Sequence, residues 1–159
     1  MSRRRRSKRR EVDPDILYGS QLVTKLIHTV MRCGKKSLAG RIVYRALEVF
    51  AKNVRADDVV EALIKAIENV RPTAEVKTRR IGAANCQVPV EVPEYRGTSL
   101  ALRWIRRFAK ARVGKTMIEG LSMELSDCFN NQGSSVKQKE TIHRMAQANR
   151  AYASGSSIY

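Results

Sequence analysis

Residues 72–92, PTAEVKTRRIGAANCQVPVEV, are the one stretch of the chain without a helical pattern. Polar and apolar residues alternate from Glu75 to Arg79 and again from Gln87 to Glu91, with a turn expected at residues 81–84. This pattern predicts a β-hairpin. Pro89 is compatible with it, because both strands of a two-stranded ribbon are edges where a missing N–H can face outward.

The two ends of this hairpin are expected to differ in chemistry. Lys77, Arg79 and Arg80 lie toward its tip, so the tip is cationic while the root is apolar. The residues expected to share one apolar face are Val76, Thr78, Val88, Val90 and Val92. Because an isolated hairpin is marginally stable in water, it needs a helical body behind it and an anionic partner in front.

Three helices are predicted before the hairpin. The first follows Ser20, a candidate N-cap, and ends near Gly34. The second covers roughly residues 37–52 and is expected to bury Leu38 and Val49 within its apolar stripe. The third begins at Asp57 or Asp58 and ends before Pro72.

Three more helices are predicted after the hairpin. A turn at residues 94–97 leads into a fourth helix over about residues 98–112. Thr116 and Glu119 have capping-box spacing and open a fifth, and a sixth covers about residues 135–152. The fold class is therefore mainly α, a bundle of about six helices with one protruding β-hairpin between the third and fourth helices.

Charge is the most unusual property of the composition. Lys and Arg total 31 against 15 Asp and Glu, which gives a net charge of +16 and a pI near 10.4. Such values are typical of nucleic-acid-binding proteins. No apolar run is long enough to span a bilayer, so we expect a soluble, intracellular chain with no membrane partner.

The cationic residues cluster in particular segments. Residues 1–10 contain seven Arg and Lys side chains and predict a flexible arm that lies along phosphates. Lys35 and Lys36 stand at a helix start, where backbone amides also favour phosphate. The fourth helix has a basic ridge and no acidic residue between Thr98 and Lys115.

No catalytic or metal-binding motif was found in the sequence. The cysteines Cys33, Cys86 and Cys128 have no CxxC spacing, so they are interpreted as reduced packing residues rather than metal ligands. Phosphate-binding, dinucleotide-binding and nucleophile-elbow motifs are missing as well. We therefore expect neither a cofactor nor an enzymatic activity.

Several segments together resemble the bacterial-type small-subunit ribosomal protein seven family, also called the universal ribosomal protein seven family. The resemblance extends over nearly the whole chain. The matching segments are Asp13-Pro14, MRCGKKSLAGRIVYRAL from Met31, EVKTRRIGAANCQVPVEV from Glu75, SLALRWIRRFAKAR from Ser99 and HRMAQANRAYA from His143. Ala83, Cys86 and the ending ASGSSIY depart from the usual family pattern.

The resemblance implies a structural protein of the small ribosomal subunit in the bacterial cytoplasm. It implies direct binding to the 3' major domain of small-subunit rRNA and nucleation of head assembly. It also implies a hairpin near the exit site, where messenger RNA and exit-site tRNA would be partners, along with neighbouring proteins of the head and platform.

The resemblance and the basic segments together define the residues expected to bind RNA and the division of the chain. Residues 1–12 would form the flexible basic arm, 13–153 a single helical RNA-binding domain with its hairpin at 73–92, and 154–159 a short C-terminal tail. The expected RNA-binding residues are Arg3, Arg4, Arg5, Arg6, Lys8, Arg9, Arg10, Lys35, Lys36, Arg41, Lys77, Arg79, Arg80, Arg103, Arg106, Arg107, Lys110, Arg112, Lys115 and Arg144.

Two functions from other classes remain as alternatives. An architectural DNA-binding protein could insert a basic ribbon into a minor groove and bend the duplex. An RNA-processing enzyme is disfavoured because no acid, base or metal constellation stands out. Preference for folded RNA over duplex DNA at matched salt, and turnover of a substrate by the pure protein, would distinguish these alternatives.

Overall fold

Six helices and one antiparallel ribbon make up the computed structural model, which describes residues 10–81 and 84–152. The predicted fold class is confirmed, since the ribbon lies between the third and fourth helices. Most of the predicted arm and all of the tail at 154–159 lie outside the described residues. The elements are α1 (Gln21–Val30), α2 (Lys36–Val54), α3 (Val59–Val70), β1 (Ala74–Ile81), β2 (Ala84–Glu91), α4 (Glu94–Ala111), α5 (Met117–Phe129), α6 (Gly133–Ala148) and a short 3₁₀ helix (Arg150–Tyr152).

Side-chain caps start three of the helices at the expected residues. Ser20 accepts a hydrogen bond from the Leu22 N–H, and Asp58 accepts from the N–H of Val60 and Glu61. Thr116 begins α5 with a complete capping box. Its hydroxyl oxygen accepts a hydrogen bond from the Glu119 N–H, and the Glu119 carboxylate accepts one from the Thr116 N–H. These contacts are local, and they explain why the sequence located these helix starts.

The start of α4 and the end of α6 differ from the prediction. Residues 94–97, expected as a turn, form the first turn of α4, where Pro93 is the N-cap residue and Glu94 places a carboxylate beside the helix N-terminus. Gly97 in this turn lies against Arg71 and Pro72, which connect α3 to the ribbon. Helix α6 ends at Ala148, and its expected last turn is the separate 3₁₀ helix.

The hydrophobic core surrounds α5, which contacts α2, α3, α4 and α6. Phe50, Leu63, Leu121 and Leu125 are among its fully buried side chains. Cys128 is also buried, and burial raises the pKa of its thiol to about 12. The interpretation of the cysteines as packing residues therefore agrees with the position of Cys128. It agrees less with Cys86, which is half-buried, and does not agree with Cys33, which is exposed.

The predicted burial of Leu38 and Val49 is wrong. Their side chains are 45% and 40% exposed. The residues of α2 that pack against α5 lie on a neighbouring face of the helix, and small residues on that face allow close packing. The buried residues of α2 are Ala39, Gly40, Val43, Ala46, Leu47 and Phe50.

Gly120→Ala is expected to lower the free energy of unfolding by about 1–3 kcal/mol, the usual cost of overpacking. A Cβ at this position would lie against the backbone carbonyl oxygen of Ala109, so α4 and α5 would have to separate. Urea denaturation would measure the loss. Gly40→Ala is a matched control, because a Cβ there would meet only the Tyr44 ring at 3.8 Å. Equal stability of the two variants would contradict a close approach of α4 and α5.

The register of the ribbon corrects the predicted apolar face. Val76 pairs with Pro89 and Thr78 with Gln87, whereas Val88 pairs with Lys77. Because paired residues project to the same side, Val76 and Val88 lie on opposite faces. The pairing continues to Ile81 and Ala84, which were expected in the turn and belong to the strands. The departure at Ala83 lies outside the described residues, and Cys86 pairs with Arg79.

Candidate nucleic-acid interface

A basic groove forms where the end of α1, the start of α2 and the C-terminal part of α4 meet. We call it the α1–α2–α4 groove, and its volume is about 390 Å³. Lys35, Arg106, Arg107 and Lys110, all predicted RNA-binding residues, line it together. The remaining lining residues are Val30, Met31, Arg32, Leu38, Ala39, Ile42 and Met117. Residues separated by about 70 positions in the chain thus form one cationic surface.

Arg32 is a groove residue that sequence reasoning did not include. It lies in the connection between α1 and α2, two residues before Gly34, which has a φ of +72°. Cys33 between them is also in the left-handed region, with a φ of +50°. The only signal for Arg32 in the sequence was its proximity to Lys35 and Lys36. All three cations lie at or next to the α1–α2 connection, and therefore at the same end of this helix pair.

Arg106 joins two walls of this groove. Its Nη1 donates a hydrogen bond to the backbone oxygen of Thr29 at 3.1 Å, near the C-terminal end of α1. Such terminal carbonyls have no partner within their own helix, so an arginine from α4 both satisfies one and fixes the two helices together. Arg106 is half-buried, whereas Arg107 and Lys110 on the same helix are exposed.

A second cavity brings together predicted RNA-binding residues from the N-terminal segment and α2. Arg10, Lys36 and Arg41 line this cavity, which also contains Asp13 and Tyr44. The Tyr44 hydroxyl donates to Asp15 Oδ1 at 2.7 Å, and Thr24 Oγ1 donates to the backbone oxygen of Asp13 at 2.9 Å. The segment around Asp13-Pro14 is thereby attached to α1 and α2, and Arg10 begins beside the other cations.

Most cations of these two cavities have no carboxylate partner. Arg71, Lys77, Arg96 and Arg112 form ion pairs, and none of these four residues lines either cavity. The lining of the α1–α2–α4 groove, as far as the structure describes it, contains no Asp or Glu. Positive charge at the groove is therefore left for an anionic ligand to neutralise.

Arg112 is the predicted RNA-binding residue with the most extensive internal contacts. Its guanidinium donates to Glu124 Oε2 at 2.7 Å and to Asp127 Oδ2. Glu124 is a buried carboxylate whose other oxygen accepts from the backbone N–H and the hydroxyl of Ser135, at 3.1 and 2.7 Å. Arg112 thus connects the end of α4 to α5, and through Glu124 to α6.

The other predicted residues of the described chain lie apart from the two cavities. Lys77, Arg79 and Arg80 are exposed along β1, and Lys77 is 3.1 Å from Glu75 Oε1. Arg103 on α4 is exposed and donates to the backbone oxygen of Ser99. Lys115 lies between α4 and α5, and Arg144 lies on α6, both exposed. The predicted residues Arg3, Arg4, Arg5, Arg6, Lys8 and Arg9 lie outside the described residues.

An arginine clamp fixes the root of the ribbon to α4. The Nε of Arg96 lies 3.0 Å from both carboxylate oxygens of Glu75, and its Nη2 donates to Oε2 at 2.8 Å. The hydrogen bonds from Arg96 lower the pKa of Glu75. On the opposite strand face, Val76 faces a cleft shared with Trp104 and Ile142. The direction of the ribbon is therefore set by α4 and α6.

A histidine holds the same root and should make it sensitive to pH. His143 Nε2 accepts a hydrogen bond from the Thr73 N–H at 3.1 Å, which requires an unprotonated nitrogen. Burial, with a smaller effect of Lys139, lowers the pKa of His143 below 6.5. The stabilisation of the ribbon root by this hydrogen bond is therefore complete above about pH 6.5. It decreases as the pH falls through the lower folded-state pKa of His143.

We expect the protection factor of the Thr73 amide, measured by NMR hydrogen exchange, to decrease as pH is lowered from about 7.5 to 5. His143→Gln supplies an acceptor that does not titrate, so its protection should vary less over this range. The same pH dependence in both proteins would assign the effect to another group.

Comparison with known proteins identifies the relationship that this arrangement suggests. A family model for ribosomal protein S7p/S5e matches residues 2–150. The chain belongs to the ribosomal protein S7p/S5e family. It is 50% identical over 153 residues to the small ribosomal subunit protein uS7 of Protochlamydia amoebophila, covering 96% of this chain and 98% of that protein. It is 54% identical over 151 residues to uS7 of Thermosipho melanesiensis, covering 95% and 97%.

Membership in the S7p/S5e family confirms the predicted resemblance to bacterial-type small-subunit ribosomal protein seven. The family consists of structural ribosomal proteins, and RNA binding and a role in translation follow from it. No helix within the described part of the chain is long and apolar enough to cross a membrane. The described residues also contain no group of three or more His, Cys, Asp or Glu side chains arranged to hold a metal ion.

Proposed function

We propose that this chain is a structural component of the small ribosomal subunit that binds the 3' major domain of small-subunit rRNA directly. The observation that supports this most is the α1–α2–α4 groove, where two cations of the α1–α2 connection and three of α4 converge without acidic residues in the described lining. We propose that this binding to rRNA helps to nucleate assembly of the head of the subunit. Neighbouring proteins of the head and platform would then be further partners.

The proposed affinity comes mainly from phosphate neutralisation, while the rigid surface selects RNA shape. Each phosphate contact releases condensed counterions, so binding should weaken as salt rises. Arg106 fixes α1 to α4, and the Arg96–Glu75 clamp fixes the ribbon to α4. Because these cationic elements have set positions, a folded RNA junction would match them better than a uniform duplex.

The N-terminal arm is proposed to extend this surface. Arg10, the first described residue, lines the second cavity together with Lys36 and Arg41. We propose that the arginines preceding it in the sequence bind the same RNA backbone as the α2 cations. We propose no catalytic role for the chain, in keeping with a structural ribosomal family.

The ribbon is proposed to lie near the exit site, with messenger RNA and exit-site tRNA as its partners. Lys77, Arg79 and Arg80 are exposed along β1, away from the groove at the α1–α2 connection. The body and the ribbon would then have separate duties: the body binds rRNA, and the ribbon reaches toward the other RNAs.

Replacing Arg79 and Arg80 with Ala is expected to weaken exit-site tRNA occupancy in reconstituted subunits by roughly tenfold, if each phosphate contact contributes about 0.7 kcal/mol. Affinity for isolated rRNA should change much less. Arg45→Ala with Lys52→Ala removes two exposed cations of α2 as a charge-matched control. Equal losses in rRNA binding and exit-site occupancy would contradict the separate duties of body and ribbon.

The proposed function can be tested by binding to a 3' major-domain fragment of small-subunit rRNA across a salt series. A scrambled RNA of equal length and a DNA duplex serve as comparisons. We expect tight binding to the fragment that survives moderate salt while binding to both comparisons falls. Equal and steeply salt-dependent binding to all three would overturn the proposal, and preference for the duplex would favour an architectural DNA-binding protein.

A further inference from the structure

We propose that the α1–α2–α4 groove receives one unstacked base of the bound RNA. This inference rests on the proposed function and adds a binding site for a nucleobase to it. In this arrangement the aliphatic floor of the groove contacts the base, and the cations of the rim contact the phosphates on either side. We call the apolar lining residues the floor, namely Val30, Met31, Leu38, Ala39, Ile42 and Met117, and the basic lining residues the rim, namely Arg32, Lys35, Arg106, Arg107 and Lys110.

The floor has the chemistry of a base-binding surface. Leu38, in the first turns of α2, is 45% exposed and lines the groove together with its cations. The groove is concave and its volume of about 390 Å³ falls in the range of about 300–1,000 Å³ typical of ligand pockets. An aliphatic concavity of this size can cover a flat, weakly polar base.

The rim selects an anionic occupant over a purely apolar one. Five cations line the same groove as these apolar residues, and the described lining offers them no carboxylate. A nucleotide satisfies both parts of the groove, because it joins a flat base to negatively charged phosphates at its edge. Sequence-specific RNA binding commonly uses bases that have left the stack, which makes this occupant consistent with a folded rRNA junction.

The groove is also held open before RNA arrives. The hydrogen bond from Arg106 to the backbone oxygen of Thr29, at 3.1 Å, joins α4 to the end of α1, where Val30 lines the groove. Ala39 in the floor is 3% exposed and belongs to the core against which α1 and α4 pack. A preformed cavity loses little conformational freedom on binding, so the apolar contact with a base would appear as affinity.

The test compares Leu38→Ser with Val49→Ser on the same helix. The two side chains have nearly equal exposure, 45% and 40%, but only Leu38 lines the groove. Leu38→Ser should weaken binding to the 3' major-domain fragment by about five- to tenfold, as expected when a base covers the exposed part of one leucine side chain. The slope of affinity against salt should stay unchanged, because no phosphate contact is lost. Val49→Ser should bind as the unaltered chain does.

A second readout locates the base directly. Fragments carrying 4-thiouridine at single unpaired positions would be crosslinked by light to the full chain, and the attached residues identified by mass spectrometry. We expect one position to crosslink to the floor, at Met31, Leu38 or Met117, and to lose that crosslink in Leu38→Ser.

Two results would overturn the base-binding proposal. In the first, the unaltered chain binds the fragment specifically, and Leu38→Ser and Val49→Ser bind it with equal affinity. This result would support the proposed function and contradict a base in the groove. Crosslinks confined to the rim would do the same. If the unaltered chain shows no preference for the fragment, the proposed function fails and this inference fails with it.

Discussion

Replacing Arg112 with Ala is expected to lower the free energy of unfolding by about 3–5 kcal/mol, the usual cost of leaving a buried carboxylate without its partner. Glu124 is only 1% exposed, and the Arg112 guanidinium donates two hydrogen bonds to its Oε2. The variant keeps the bonds from Ser135 to the other oxygen, but it removes the positive charge. Chemical denaturation followed by circular dichroism would measure the change.

Arg103→Ala is the matched control, since Arg103 is an exposed arginine of the same helix region whose side chain donates to the backbone oxygen of Ser99. Its effect on stability should be within about 0.5 kcal/mol. The double variant Arg112→Met with Glu124→Gln removes both charges and should recover much of the loss. An Arg112→Ala protein as stable as the Arg103→Ala protein would show that the pair does not hold α4 to α5.

The same variant also separates a structural role from an RNA contact. Arg112 is expected to pair with Glu124 and Asp127 rather than with RNA. Its replacement should therefore change the salt dependence of RNA affinity less than replacement of an exposed groove cation does. A reduction of the salt slope by about 1 would instead assign a phosphate to Arg112, as the sequence alone suggested.

The joint replacement of Lys35, Arg107 and Lys110 by Ala is expected to weaken binding to the rRNA fragment by roughly 100-fold near physiological salt. Each exposed cation would contribute about 1 kcal/mol through one phosphate, and the salt slope should fall by about 2–3. The three side chains line one groove and are exposed, so stability should change little. Filter binding across a salt series would measure both quantities.

A charge-matched control distinguishes a local site from general attraction. Arg45→Ala, Lys52→Ala and Lys137→Ala together remove the same charge from exposed positions outside the groove. This control should retain most of the affinity. If both triple variants lose affinity equally, RNA would be attracted by the net charge of +16 rather than held at the groove.

The sequence predicted the local features of the fold because their causes lie within a few residues. Ser20, Asp58 and Thr116 cap helices through hydrogen bonds to residues two or three positions away. Strand alternation located the hairpin, but not which residues share its faces. The pairing continued to Ile81 and Ala84, so Val76 and Val88 lie on opposite sides of the ribbon.

The candidate site was predictable as a set of cations and not as a surface. The basic ridge of α4 and the lysines after Gly34 were evident from their positions in the sequence, and the structure brings Lys35, Arg107 and Lys110 to one groove. Arg32 was missed because a single arginine in a short connection has no periodic signal. Leu38 was assigned to the core, since helical periodicity cannot decide which of two adjacent apolar stripes meets another helix.

By itself, the sequence determined the mainly helical class, the position of the hairpin, the excess of positive charge and the family resemblance. Each of these follows from composition or from residues close together in the chain. Only the tertiary structure decided which cations make contacts within the protein. Arg112 meets acids 12 and 15 residues away, Arg96 meets Glu75 21 residues away, and Arg106 meets the end of α1 77 residues away. Such contacts depend on how helices pack, and no short-range pattern specifies them.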